Sequence, residues 1–232
     1  MSTVVIDVFP ESVALHRDGA IVGVDVIRAT TTAITALATG RRVFVVPSLE
    51  MAVPLAARLH EPLLVGELGG NMPYGFHVNN SPASIAVRAD VERPMILLST
   101  SGTRLLTDGI GAETVYAGCL RNVSALVRHL AANHDRVAVI GAGARGEFRE
   151  EDQLGTAWIA GGLIDAGFEP ADASTRDLVD RWRGVSIESI LVSGSVEYLR
   201  SSGQLDDLDF ILAHVDDVDG VWALHDVELL PA

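Results

Sequence analysis

The sequence predicts an α/β fold with a mostly parallel sheet, on three observations. Short apolar, β-branched runs recur along the first two thirds of the chain. Longer segments of helical character lie between them, and this alternation belongs to parallel strands joined by crossover helices. Several runs are continuous rather than alternating in polarity, as strands covered on both faces are.

In chain order, the strand runs are Val4–Val8, Ile21–Ile27, Val43–Val46, Leu63–Val65, Met95–Leu98 and Val137–Ile140. The helical segments are Thr30–Thr39, Leu49–His60, Ser81–Ala89, Arg121–Asn133 and Glu150–Ala166. Ser81 is a natural N-cap and Pro82 fits the first helical position, which dates the start of the third helix. After Gly167 the texture changes to shorter helices at Ser174–Trp182, Ile187–Ser193 and Val196–Ser201, followed by the acidic stretch Asp206-Asp207-Leu208-Asp209. Val221–Leu224 and Val227–Leu230 read as a closing pair of short strands. No fixed-period repeat or low-complexity linker interrupts the chain, so residues 1–232 are expected to form one body.

Composition bounds the function. The chain is 48% hydrophobic and 21% charged, ordinary for a globular protein. Only 5% of residues are aromatic, so Val, Leu, Ile and Ala must build the core. A net charge of −14 argues against nucleic acid or an anionic membrane as partner. A small anionic substrate stays compatible, because a divalent cation reverses the local field. The single cysteine, Cys119, excludes an intramolecular disulfide and fits a reducing cytoplasm. No basic segment leads into an apolar stretch at the N-terminus, and no run reaches the ~20 apolar residues of a membrane helix. The expectation is a cytoplasmic protein, with a homo-oligomer left open.

Polar punctuation follows the strand runs. In Val22–Thr32 an apolar run ends in Asp25, then Arg28, then Thr30, Thr31 and Thr32. The acid suits a hard cation; the base, hydroxyls and helix N-terminus suit an anion. Helix capping explains Asp25 and Thr30 equally well. Glu67 comes after the short strand run Leu63–Val65, backed by Gly69 and Gly70, and His77 lies in the loop Tyr74–Pro82. An ordinary surface acid and an ordinary loop histidine are the competing readings. Ser99–Arg104 is another strand-to-helix turn, rich in donors. Arg104 is less expected just inside a helix, where a cation opposes the dipole. Last, Gly141, Gly143 and Gly146 spell G-x-G-x-x-G after a strand, a dinucleotide fingerprint. Glu147, Glu150, Glu151 and Asp152 would repel a pyrophosphate there, so metal binding accounts better for loop and acids together.

Taken in order, VDVIRATTT, GELGG with GFHVNNSP, STSGTR, and GARGEF with EDQLGTAWIAGGL resemble the 2-phosphosulfolactate phosphatase (ComB-like) family across residues 22 to about 163. The resemblance implies a three-layer α/β/α fold of two intertwined, similar halves. It also implies a Mg²⁺-dependent phosphatase releasing inorganic phosphate from 2-phospho-3-sulfolactate in coenzyme M biosynthesis. The positions that fit the family pattern are Asp25, Arg28, Thr30, Thr31, Glu67, Gly75, Phe76, Asn80, Ser81, Gly102, Thr103, Arg104, Glu147, Glu151 and Asp152. Four depart from it: Leu68 stands where a basic residue is usual, His77 for an acid, Ser101 for asparagine and Gly155 for cysteine. The departures fall on the substrate-contacting frame rather than the cation-binding one.

The expected chemistry is metal-assisted phosphomonoester hydrolysis of a small anionic metabolite. Asp25, Glu67, Glu147 and Asp152 are the expected Mg²⁺ ligands, directly or through water. Arg28, Thr30, Thr31, Asn80, Ser81, Ser101, Gly102, Thr103 and Arg104 would hold the anionic groups, and Glu147 or Glu151 would orient the attacking water. Two other readings stand beside it. One is an NAD-type oxidoreductase using Gly141–Gly146; the other is a non-catalytic protein that binds a phosphorylated metabolite.

Overall fold

The computed structural model describes all 232 residues. Ten strands and nine α-helices follow one another as β1 (Thr3–Val8), β2 (Ala20–Val24), α1 (Ala29–Ala38), β3 (Val43–Val46), α2 (Leu49–Ala56), β4 (Leu63–Gly66), α3 (Pro82–Ala86), β5 (Met95–Leu98), α4 (Gly102–Asp108) and β6 (Thr114–Gly118). They continue as α5 (Val123–Asn133), β7 (Arg136–Gly141), α6 (Glu150–Asp165), β8 (Glu169–Pro170), α7 (Ala173–Trp182), α8 (Gly194–Ser201), α9 (Leu205–Ala213), β9 (Trp222–His225) and β10 (Glu228–Pro231). Two 3₁₀ turns, Pro10–Leu15 and Ile187–Val192, complete the chain.

All ten strands join one sheet in the order β4-β5-β3-β10-β9-β6-β2-β7-β1-β8. The outer groups β4-β5-β3 and β6-β2-β7-β1-β8 are parallel throughout. Between them the hairpin β9–β10 runs antiparallel to both neighbours. The chain builds β1 and β2 in one group, crosses to lay down β3, β4 and β5 in the other, and returns for β6 and β7. Intertwined halves are thus a property of the connectivity.

Both faces of the sheet are covered, which explains the unbroken apolar runs. On one face Ile21, Val43, Val45, Leu63 and Met95 pack with Ala33, Ile34 and Leu37 of α1 and with Leu105 and Leu106 of α4. Strand residues of opposite parity, Val22, Val24, Val137 and Val139, pack with Leu126 and Leu130 of α5 and Leu154, Ile159 and Leu163 of α6. Phe44, Val46, Ile96 and Leu98 meet α2 on that same side. The three-layer α/β/α arrangement follows.

Several element boundaries differ from the sequence expectation. β2 stops at Val24 rather than Ile27, because the Val26 N–H donates to Asp152 Oδ1 at 2.9 Å and so leaves the ladder. α2 ends at Ala56, short of His60. Ile187–Val192 is a 3₁₀ turn, not a helix. β6 was not anticipated, and neither was α9, which contains the stretch read as merely acidic.

Candidate active site

β2 and β7 run parallel in one group and β4 and β5 in the other, so within each group the loops leaving the strands emerge together, while the three antiparallel steps across the hairpin set the two groups in opposite senses. Asp25 follows β2, Glu67 follows β4, Ser99–Ser101 follow β5, and the glycine loop before α6 follows β7. Each acid is fixed by backbone donors. Asp25 Oδ1 accepts from the Ala29 N–H at 3.1 Å. Glu67 accepts the Thr100 N–H and the Gly70 N–H, each at 2.7 Å, and the Thr100 hydroxyl at 2.9 Å, tying the β4 and β5 loops together. Asp152 accepts Val26 N–H on one oxygen and Gly143 N–H on the other, joining α6 to β2.

These acids feel one another. Burial raises the Asp25 carboxyl to about 7; the Ala29 N–H opposes the rise, and the charges of Glu67 and Glu151 add to it. Burial likewise pushes Asp152 well above the carboxylate range, reinforced by Asp25 and Glu151. Glu151 is raised by its own burial, with the Ser195 hydroxyl tempering the effect. Its Oε2 is buried without a hydrogen-bond partner. Oxygen-only donors, buried and mutually repelling, fit a hard divalent cation such as Mg²⁺. As placed, no three His, Cys, Asp or Glu side chains come together as a group that could hold a metal ion.

Beside the acids lies a cavity lined by Arg28, Glu67, Asn80, Ser101, Arg145 and Arg149, with α8 residues Gly194, Ser195 and Tyr198 closing its wall. Arg28 is only 4% exposed at its side chain. Its Nη1 donates to Asp207 Oδ2 and to Gln204 Oε1, both at 2.5 Å, leaving Nε and Nη2 for the cavity. Asp207 also accepts the Ser81 hydroxyl at 2.6 Å and the Ala83 N–H at 3.2 Å. Asn80 is buried, and its Oδ1 has no partner.

The expected residues therefore divide. Asp25, Arg28, Glu67, Asn80, Ser101, Gly102, Glu151 and Asp152 gather at or against this cavity. Gly102 backs it because a Cβ there would strike Asp25 Oδ2 at 2.2 Å. Thr30 and Thr31 spend their hydroxyls on the carbonyls of Asp25 and Val26. The Thr103 hydroxyl is occupied by the Ser99 backbone, and Ser81 by Asp207 and the start of α3. Arg104 lies outside, exposed and paired with Glu11 and Asp108. Glu147 projects to the surface, where it holds Arg149 at 2.6 Å. Of the four departures, only Ser101 lines the cavity. Leu68 is exposed, His77 accepts the Leu64 N–H at 2.9 Å along the edge strand, and Gly155 packs against Val24 and Val26. The departures are thus mostly remote from the cavity.

Asp207, Gln204, Arg145, Arg149, Ser195 and Tyr198 were missed. Regular spacing of Leu205, Leu208 and Ile211 could have revealed α9, though not that Asp207 faces inward. The glycine loop does not suit a dinucleotide: its N–H groups at Ala142, Gly143 and Ala144 bond Val24 O, Asp152 Oδ2 and Glu147 O.

Fold and cavity define an α/β protein with an acid and arginine cleft at its strand ends. The profile of the family described as 2-phosphosulpholactate phosphatase matches residues 4–225, and the chain belongs to that family. It is 35% identical over 188 residues to the probable 2-phosphosulfolactate phosphatase of Pseudothermotoga lettingae, covering 81% of each chain. It is 31% identical over 195 residues to the 2-phosphosulfolactate phosphatase of Methanothermobacter thermautotrophicus, covering 84% of this chain and 82% of that one. No helix is long and apolar enough to cross a membrane.

Proposed function

We propose that the protein is a Mg²⁺-dependent phosphatase that hydrolyses the phosphate monoester of 2-phospho-3-sulfolactate, or of a related phospho-hydroxy acid, to the alcohol and inorganic phosphate. The observation that carries this reading is the cluster of buried, mutually repelling Asp25, Glu151 and Asp152 next to Arg28 and Glu67, which line a cavity together with Asn80. Family membership supports it. So do the names of its relatives.

Asp25, Glu67 and Asp152 would hold the ion, with Glu151 beside them; Glu147 stands apart from this group. The ion supplies charge neutralisation for the transferring phosphoryl group. The Arg28 guanidinium, anchored on Nη1 by Asp207, would offer its remaining N–H groups to the phosphoryl oxygens. Asn80 and the Ser101 turn add neutral donors. Glu151, with one oxygen unsatisfied, is the group that accepts the proton of the attacking water. Backbone clamps on Glu67 and Asp152 keep the acids in place as charge develops, so little reorganisation is needed.

Phosphate release from a panel of phospho-hydroxy acids, with Mg²⁺ and with EDTA, tests the reading. Release should require Mg²⁺ and be abolished by Asp25→Asn in a folded protein. Turnover that survives EDTA, or survives D25N, overturns it.

A further inference from the structure

Gln204 stands between α8 and α9, behind the cavity wall rather than in it. Its backbone N–H donates to Leu199 O at 2.8 Å and closes the turn after α8. Its side-chain amide has one orientation. Nε2 donates at 2.7 Å to the Ser202 hydroxyl oxygen, whose own proton goes to Tyr198 O. Oε1 accepts from Arg28 Nη1 at 2.5 Å and from Asn79 Nδ2 at 3.0 Å, which occupies both lone pairs. A flipped amide would set its NH₂ against both of those donors.

Each partner leads to a side chain that lines the cavity. The N–H groups of a guanidinium lie in one plane. Asp207 Oδ2 and Gln204 Oε1 take the two protons of Arg28 Nη1 between them, so two acceptors rather than one fix that plane. With Asp207 alone, the group could pivot about one N–H···O axis. Asn79 carries the other arm. Its Oδ1 accepts the Asn80 N–H at 2.7 Å, which turns its Nδ2 to Gln204, and the Asn80 side chain enters the cavity wall one residue on.

We infer that Gln204 is a positioning residue: its one amide oxygen sets the angle of Arg28 and the place of Asn80 together, so that the two face the cavity as a fixed pair. The inference rests on the phosphatase reading, in which Arg28 and Asn80 meet the phosphoryl oxygens. Gln204 itself touches none of the reacting atoms. Phosphoryl transfer is catalysed mainly by positioning and by electrostatic stabilisation of the transition state. A donor held at a fixed angle therefore counts for more there than in the bound ester. Loss of the oxygen falls on kcat rather than on KM.

Gln204→Leu keeps much of the volume and removes the acceptor. With Mg²⁺ present, and the fastest ester of the phospho-hydroxy acid panel as substrate, its kcat should fall about tenfold, the scale of one hydrogen bond to a charged group. KM should move by less than about threefold. Gln204→Glu, which keeps an oxygen for both arms, should return kcat to within about threefold of wild type. A residue that only held α9 in place would show neither the split nor the rescue. Asn79→Ala should slow turnover less than Q204L, and the double variant should be no slower than Q204L alone, because both act through one oxygen. An unchanged kcat in Q204L, a loss confined to KM, a Q204E as slow as Q204L, or additive losses in the pair each overturn the assignment.

NMR relaxation at Arg28 Nε reads the same inference without turnover. Its order parameter should sit near the rigid value of about 0.85 in wild type and Q204E, and fall below about 0.6 in Q204L. Should the wild-type protein hydrolyse no ester of the panel, the phosphatase reading fails and this measurement still decides the positioning role. Equal order in wild type and Q204L overturns it.

Discussion

Asp207→Asn isolates the contact that joins the C-terminal helices to the cavity. Arg28 and Asp207 are 4% and 3% exposed at their side chains and meet at 2.5 Å. An asparagine keeps an oxygen for the Ser81 hydroxyl and the Ala83 N–H, so α3 and α9 stay docked. What changes lies at Arg28, where an amide N–H now faces the Nη1 donor and the guanidinium is left with Gln204 alone. Stripping one partner from a buried pair costs about 3–5 kcal/mol, and the surviving Gln204 contact places the loss near about 3. For a chain of this length about 2–4 °C of melting temperature goes with each kcal/mol, so D207N should melt about 6–12 °C lower. Calorimetric melts of wild type, D207N, R28M and the double variant close a thermodynamic cycle. The coupling between the two sites should reach about 2 kcal/mol. With Arg28 no longer aimed, kcat/KM on the phospho-hydroxy acids should fall about tenfold or more. A D207N melt within about 2 °C of wild type, or a coupling below about 0.5 kcal/mol, would refute the reasoning.

Other outcomes follow from the same geometry. Saturating Mg²⁺ at about a hundred times its Kd should stabilise the protein by about 2.7 kcal/mol in thermal melts, EDTA should reverse this, and D25N should not respond. Gly102→Ala would drive a Cβ into Asp25 Oδ2 and Ala29, so stability should drop by about 1–3 kcal/mol and phosphate release should fall with it. Asp90 is the counter-ion of the fully buried Arg41 side chain. The Arg88 and Arg41 guanidinium groups hold its carboxyl below the ordinary 3.8. Its stabilising contribution is therefore present above that pH and disappears as acid carries the solution through the lower folded-state value. Asp90→Asn should cost about 2 kcal/mol near neutrality, below the usual range because Asp90 is partly exposed, and the gap to wild type should close in acid unfolding curves. His77→Ala removes only a hydrogen bond to the edge strand β4. It should leave KM unchanged and lower stability by about 1 kcal/mol, and a KM effect would restore a substrate-binding role to His77.

Much of the sheet could be read from the sequence because its strands are covered on both faces, leaving runs such as Val43–Val46 wholly apolar. β6 escaped because TVYAG is short and opens on a polar residue. The acids Asp25, Glu67, Glu151 and Asp152 were legible since each directly follows a strand run or opens the helix after one. Hydroxyl-rich turns misled in part: Thr30, Thr31 and Thr103 look like ligand donors, but their hydroxyls are saturated by backbone a few residues away. Arg104 misled through a sound dipole argument, because Glu11 and Asp108 neutralise it at the surface. Asp207 could not be found locally, since its partner Arg28 lies 179 positions earlier and nothing in an acidic run marks which member turns inward.

The hairpin that joins the two parallel groups is made of strands that follow all the others in sequence order. Until Trp222–Pro231 emerge, β3 and β6 each carry a raw edge that other chains can pair with. Nascent protein must therefore carry two open borders through most of its synthesis. A stop codon after Gly220 would leave them open for good, favouring aggregates over a smaller working enzyme.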